Sequence, residues 1–81
     1  GCYIDAIRAI TNPTKPIVAY GHSNLSVVVT KTGLYNITLQ DDSYCSLVAY
    51  YTTMIRVRQK DNSQVNIIHR DNRSIIKIRK V

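Results

Sequence analysis

The chain lacks three residue types altogether and contains few of three others. Among its 81 residues there is no Trp, Phe or Glu, and there are only two Cys, two Pro and three Gly. Without Glu, and with little Ala or Leu, the sequence holds little helix-forming material, which argues against a helical fold. No apolar run is long enough to cross a membrane and no signal peptide is visible, so we expect no membrane span.

The two cysteines, Cys2 and Cys45, are far apart in the sequence. Neither belongs to a CxxC pair or lies near histidine ligands, which argues against a zinc site and a redox motif. A disulfide between them would close a loop of about 40 residues and stabilise the fold by about 3–4 kcal/mol. The sequence leaves open both this disulfide and two structural thiols.

The residues that are abundant favour β-strands. Val, Ile, Thr and Tyr are frequent, and apolar and polar residues alternate with period two in segments 55–58, 65–67 and 76–79. The Asp-Asn pairs at 61–62 and 71–72 favour tight turns between these segments. We therefore predict that the last third of the chain is a three-stranded antiparallel meander with one apolar and one cationic face.

The same pattern extends over the whole chain, which we interpret as one domain, residues 1–81. Segment 46–58 reads as one long or bent strand with a corner at 50–53. Seven or eight short strands, with a turn every 8–12 residues, predict an all-β fold, a small antiparallel β-sandwich or barrel. The turn pair around Asp61 and Asp71 is the only repeat that we recognise, and it is too short to predict a solenoid.

The net charge of +6 lies in the final segment, 56–81, which has eight Lys and Arg against two Asp. A face of one sign attracts nucleic acid, anionic polysaccharide, lipopolysaccharide phosphates or an acidic protein. A charged strand face can also serve only to prevent edge-to-edge aggregation. The residues predicted to form the cationic, polyanion-binding face are Arg56, Arg58, Arg70, Arg73, Lys77 and Arg79.

No motif indicates an enzyme. His22 and His69 stand in no catalytic pattern, and the adjacent Asp41 and Asp42 are typical of a turn. We predict a non-enzymatic protein with no cofactor and no metal site. The loop residues that we propose as glycan contacts are His22, Asn24, Asp42, Tyr44 and Tyr51.

Segment 24–53 resembles a small β-module of bacteriophage tail fibres and other virion appendages. That module has a strand of the form Asn-x-Ser-x-Val, then Gly-x-Tyr-x-Ile/Val-x-Phe/Leu, then a strand that begins Asp-x-x-Tyr. The matching residues are Asn24, Ser26, Val28, Gly33, Tyr35, Ile37, Leu39, Asp41 and Tyr44. Ala6 and Arg8 match its opening segment, and the last residues, 78–81, are compatible with its last strand.

The resemblance implies a structural module of a phage virion, often trimeric, that acts in attachment to a host surface glycan or in particle assembly. A short all-β chain has a thin core, which independently favours a homo-oligomer. Two alternatives stay open. One is a small basic barrel that binds nucleic acid through its phosphates, although the basic segments contain no aromatic residue to stack on bases. The other is a secreted glycan-binding adhesin or toxin-like subunit.

Overall fold

A computed structural model describes residues 2–81, which form strands and turns and no helix. The all-β character predicted from the sequence is confirmed. The nine strands of these residues are β1 Cys2–Ile4, β2 Ile7–Thr11, β3 Ile17–Ala19, β4 Asn24–Val29, β5 Gly33–Leu39, β6 Tyr44–Ala49, β7 Thr53–Gln59, β8 Gln64–Arg70 and β9 Ile75–Lys80.

Successive strands alternate between two sheets. The five-stranded sheet has the order β1-β3-β5-β7-β9, and the four-stranded sheet has the order β2-β4-β6-β8. Each pair of neighbours is parallel. The chain therefore winds as a β-solenoid, in which one coil contributes one strand to each sheet.

A repeat of 20 residues sets the register of the coils. Ile17 pairs with Ile37, and Ile37 with Val57, in the five-stranded sheet. Asn24 and Tyr44 pair in the same way in the four-stranded sheet. Residues that pair on neighbouring strands of a sheet point to the same face, because side chains alternate with period two along each strand. The residues consequently form columns that run across the coils.

The core lies between the sheets and consists of the inward-facing columns. It contains aliphatic residues and one cysteine, with no aromatic ring among its fully buried members. Leu25, Cys45 and Val65 form one column of the four-stranded sheet, and Val27, Leu47 and Ile67 form the next. The buried apolar residues are Ile4, Ile17, Ala19, Leu25, Val27, Val29, Ile37, Leu39, Cys45, Leu47, Ala49, Ile55 and Val57.

The two ends of the core differ. At the N-terminal end Arg8 occupies the inward register next to Leu25, and an inward-facing charge discourages a further strand from adding to an edge. At the C-terminal end one inward column of each sheet continues to an exposed residue, Ile67 on β8 and Ile78 on β9, which are 37% and 42% exposed. The apolar core is thus open to solvent at the β8 and β9 edge of residues 2–81.

The coils turn at two corners. The first corner follows β1, β3, β5 and β7, and the second corner follows β2, β4, β6 and β8. At the first corner Ser23, Ser43 and Ser63 are spaced by one repeat and are all buried. The Ser23 hydroxyl donates to the Ile4 carbonyl at 2.9 Å, and the Ser63 hydroxyl donates to the Lys60 carbonyl at 2.6 Å. Small hydroxyl side chains thus occupy the inside of the turn, and those of Ser23 and Ser63 satisfy backbone carbonyls there.

The prediction of an antiparallel β-sandwich or barrel is wrong. Period-two alternation is the same in parallel and antiparallel strands, so it does not fix strand direction. The turns interpreted as hairpins are corners, at which the chain passes from one sheet to the other. The statement that the repeats are too short for a solenoid is also wrong, because the repeat of 20 residues covers most of the chain.

The predicted three-stranded meander is wrong for the same reason. β7 and β9 are parallel neighbours in the five-stranded sheet, and β8 lies in the other sheet. Cys2 and Cys45 are both free thiols. Cys2 pairs with Ile17 in the first coil, whereas Cys45 pairs with Leu25 and Val65 in the opposite sheet, so the fold does not join them.

Candidate polyanion-binding face

Four cationic side chains lie together on the outer face of the five-stranded sheet. Arg56 and Arg58 alternate with the buried Ile55 and Val57 along β7, so both arginines point to solvent. β9 places Lys77 and Arg79 directly beside them. We call the set Arg56, Arg58, Lys77 and Arg79 the cationic face.

Strand geometry fixes the spacing of this face. Arg56 pairs with Lys77 and Arg58 pairs with Arg79. Neighbouring strands lie about 4.8 Å apart and alternate residues of one strand about 6.6 Å apart, which gives a compact rectangle of charge. On β5 the same columns continue with Asn36 and Thr38. A shallow groove of about 560 Å³ runs over these six side chains, and the backbone of Ile37 and Val57 lies at its floor.

No carboxylate neutralises the cationic face. Both ion pairs of residues 2–81 involve a histidine, so within them no Lys or Arg is paired with an acid. The acids lie elsewhere, since Asp5, Asp41, Asp42 and Asp61 are at the first corner and Asp71 is at the second. Like charges directly opposite each other on neighbouring strands are destabilising. The cationic face therefore costs stability rather than contributing to it.

Protection of the sheet edge explains only part of this charge. β9 is an edge strand, and Lys or Arg on an edge discourages pairing with another chain. β7 lies between β5 and β9, so Arg56 and Arg58 are on an interior strand. Edge protection gives no reason for these two arginines.

Arg70 and Arg73 do not belong to the cationic face, contrary to the sequence-based prediction. Arg70 ends β8 in the other sheet, where it pairs with Ala49. Arg73 lies in the turn between β8 and β9. The prediction placed them with the others because it assumed three adjacent antiparallel strands. The sequence reasoning also missed Asn36 and Thr38, which only the register of β5 with β7 brings to the groove.

Four of the predicted glycan contacts meet at the first corner and the adjacent outer face. Asn24 and Tyr44 pair across β4 and β6. His22 and Asp42 lie one repeat apart in successive turns, with 3.6 Å between His22 Nδ1 and Asp42 Oδ2. Both side chains are well exposed, at 87% and 53%, so their attraction is weak.

Tyr51, the fifth predicted glycan contact, lies at the second corner with three residues that the sequence analysis did not select. Its ring centroid is 6.2 Å from that of Tyr50, and the Tyr50 ring is 5.0 Å from that of His69. His69 Nε2 lies 2.7 Å from Asp71 Oδ1. We call Tyr50, Tyr51, His69 and Asp71 the corner cluster.

Within this cluster, Asp71 is hydrogen-bonded to a residue of the preceding coil. Its Oδ2 atom accepts the backbone N–H of Tyr51 at 2.7 Å. This hydrogen bond and the one with His69 hold the pKa of Asp71 below its usual value, because both favour the ionised carboxylate. Asp71 is thus an ionised carboxylate in which Oδ2 contacts the Tyr51 backbone and Oδ1 contacts the His69 imidazole.

Comparison with models of protein families, with curated proteins and with solved structures finds no match to this chain. Within residues 2–81, no group of three or more His, Cys, Asp or Glu side chains is placed to hold a metal ion. The same residues contain no helix that could cross a membrane.

Proposed function

We propose that the chain is a non-enzymatic binding module whose cationic face holds an anionic polymer. The observation that carries this proposal is the unpaired array of Arg56, Arg58, Lys77 and Arg79 over a groove. Arginines on an interior strand, opposite further cations, oppose folding and need another reason to be there. Binding of phosphate or sulfate groups would supply that reason, because it offsets their mutual repulsion.

The neighbours of the cations favour a glycan over a nucleic acid. Asn36 and Thr38 add an amide and a hydroxyl to the groove, and these groups can bond sugar hydroxyls. No aromatic side chain lines the groove, so bases would find nothing to stack on. Arg binds phosphate and sulfate oxygens through two parallel hydrogen bonds, whichever polymer bears them. The ligand we propose is therefore an anionic polysaccharide or the phosphorylated sugar of a lipopolysaccharide.

The setting we propose is a phage virion appendage that attaches to a host surface. The resemblance of segment 24–53 to tail-fibre modules supports it. A solenoid also suits a particle appendage, because a solenoid lengthens coil by coil while its binding columns stay in line. Self-association is part of this proposal, and the exposed Ile67 and Ile78 beside the unpaired β8 and β9 edges are its physical basis.

The test compares two double variants of equal charge. Arg56→Gln with Arg58→Gln removes two cations from the face, and Arg70→Gln with Arg73→Gln removes two cations outside it. Binding to a sulfated polysaccharide, to lipopolysaccharide and to single-stranded DNA is measured between 50 and 300 mM salt.

We expect the first variant to weaken binding to the anionic glycans about tenfold or more and to reduce the salt slope by about 2, one unit for each lost contact. The second variant should bind nearly as the wild type does. Equal losses in both variants would show only a general effect of net charge and would overturn the proposal of a defined face. Tighter binding to DNA than to every glycan would favour the nucleic-acid alternative. Light scattering at low and high salt tests self-association, and a monomer at both would contradict it.

A further inference from the structure

The corner cluster depends on an irregularity in the register of β8. The register between β6 and β8 shifts between Leu47 and Val48, so that Leu47 pairs with Ile67 but Val48 pairs with His69. One extra residue, Ile68, is thus inserted into β8 as a bulge. Bulges redirect side chains and are frequent beside functional sites.

The bulge decides which side chains of β8 face outward. In an unbroken register Ile68 would pair with Val48 on the outer face, and His69 would pair with the fully buried Ala49 and face the core. The extra residue instead turns His69 outward. There it reaches the Tyr50 ring, at 5.0 Å between centroids, and Asp71, at 2.7 Å.

The backbone at Tyr51 is a second irregularity of the same corner. Tyr51 has a φ of 63°, in the left-handed region that non-glycine residues seldom adopt. The other non-glycine residues with positive φ in residues 2–81 are Asn or Asp, which tolerate that geometry. Tyr51 has no such tolerance, and its side chain is nevertheless 63% exposed. The strained backbone at Tyr51 is therefore not offset by packing of its side chain in the core, which favours a role at the surface.

The exposed chemistry of the cluster indicates the class of ligand. Two tyrosine rings offer apolar faces and hydroxyls, while His69 and Asp71 offer an imidazole and a carboxylate that are 47% and 34% exposed. A sugar ring has matching parts, since its C–H groups pack on aromatic rings and its hydroxyls bond the polar groups.

Two other ligand classes fit less well. The rings of Tyr50 and Tyr51 are inclined by 47°, and those of Tyr50 and His69 by 37°, so they cannot enclose a flat base between parallel faces. A cationic ligand would approach a chain of net charge +6, with Arg70 and Arg73 within two residues of the cluster in sequence. We infer that the corner cluster of Tyr50, Tyr51, His69 and Asp71 is a binding site for a neutral sugar residue, separate from the cationic face.

The experiment titrates the protein with neutral oligosaccharides built from glucose, galactose, mannose or N-acetylglucosamine. Binding is followed by saturation-transfer NMR and by the shifts of the tyrosine and histidine ring protons. Three variants are compared with the wild type: Tyr51→Gly, which relieves the positive φ and keeps the backbone N–H; His69→Gln; and the control Tyr3→Ala, which removes a tyrosine that is 72% exposed on β1.

We expect at least one of these oligosaccharides to bind and to shift the Tyr50, Tyr51 and His69 signals. Affinity should fall at least tenfold in Tyr51→Gly and in His69→Gln and stay unchanged in Tyr3→Ala. The double variant Arg56→Gln with Arg58→Gln should keep its affinity for the neutral sugar, which separates this site from the cationic face.

Three results would overturn the inference: no saturable binding to any of the oligosaccharides, shifts confined to other residues, or an equal loss in Tyr3→Ala. Thermal unfolding of each variant accompanies the titrations. Because Tyr51→Gly is expected to fold at least as well as the wild type, loss of binding in a folded Tyr51→Gly protein reports on the site itself.

Discussion

Asp61 lies one coil after Asp41 at the first corner, and its Oδ2 atom accepts the backbone N–H of Asp41 at 3.0 Å. Asp41 in turn accepts the N–H of Gly21 at 2.8 Å, and at the second corner Asp71 accepts the N–H of Tyr51. Each carboxylate thus reaches back by one repeat and satisfies a donor that the turn would otherwise leave to solvent. Three of the five acidic residues of this basic chain, Asp41, Asp61 and Asp71, thus join successive coils through hydrogen bonds.

The first prediction concerns Asp61. Asp61→Ala should destabilise the fold by about 1 kcal/mol or more, because the Asp41 N–H loses its acceptor and Ala is strained at a φ of 56°. Asp61→Asn should cost little, since the amide oxygen can accept the same bond and Asn tolerates this φ. Denaturant unfolding of both variants checks this, and equal destabilisation by Asn and Ala would contradict this role of Asp61.

The second prediction concerns Gly21, which has a φ of 66° and lies against Asp5. A Cβ atom there would come within 2.5 Å of Asp5 Oδ1, an exposed carboxylate that can move aside, so Gly21→Ala should cost about 1–2 kcal/mol, mainly from backbone strain. Gly33→Ala is the matched control, because a Cβ atom at Gly33 finds its nearest neighbour at 3.6 Å. Comparable losses in both variants, measured by thermal unfolding, would contradict the argument.

The third prediction concerns the two thiols. Burial raises the pKa of Cys45 to about 12, so its reactive thiolate is scarce at neutral pH. Cys2 is partly exposed at the N-terminal end. Alkylation of the native protein at pH 8 should therefore modify Cys2 and spare Cys45, whereas both should react in denaturant. Mass spectrometry counts the labels, and rapid native labelling of Cys45 would show that the core opens.

The fourth prediction concerns acid. The depressed pKa of Asp71 contributes stability above the ordinary aspartate value of about 3.9, and this contribution is lost as pH falls through the still lower folded value. The Asp71→Asn variant has no such titration, so its melting temperature should depend less on pH between 5 and 2 than that of the wild type. Identical pH profiles would mean that Asp71 is not held in its ionised form by Tyr51 and His69.

The fifth prediction uses one inward column, Val27, Leu47 and Ile67, as a probe of the open end. Leu47→Ala, at a fully buried position, should cost about 2–5 kcal/mol. Ile67→Ala lies in the same column at the exposed end and should cost about half of that or less, because part of the side chain is already in water. Equal costs in unfolding experiments would indicate that another chain covers the C-terminal end in solution.

The sequence predicts the strands better than their arrangement. Alternation around Ile55, Arg56, Val57 and Arg58 correctly separates buried from exposed positions on β7. The same alternation suits a parallel or an antiparallel neighbour, so it could not reveal that β9 rather than β8 lies beside β7. All four cations of the face are among the six residues predicted from the sequence, and only their pairing across β7 and β9 required the register.

A signal for the solenoid is nevertheless present in the sequence. Ser23, Ser43 and Ser63 recur at one repeat, each in a turn and each buried. The strands between them share residue class rather than identity, which hides the period. The corner cluster had no comparable signal in the sequence. His69 lies on the outer face only because of a one-residue bulge, and strict period-two alternation would place it on the inner face.

The 20-residue coil also restricts how this molecule can change in length. A single residue inserted within a strand would exchange the inner and outer side chains beyond it, so such changes are tolerable only at corners or in a bulge. Duplication of residues 41–60, by contrast, would repeat one coil and place a second copy of Arg56 and Arg58 in register with the first. The reach of the charged surface would thereby grow by about 4.8 Å, one strand spacing, with each coil gained.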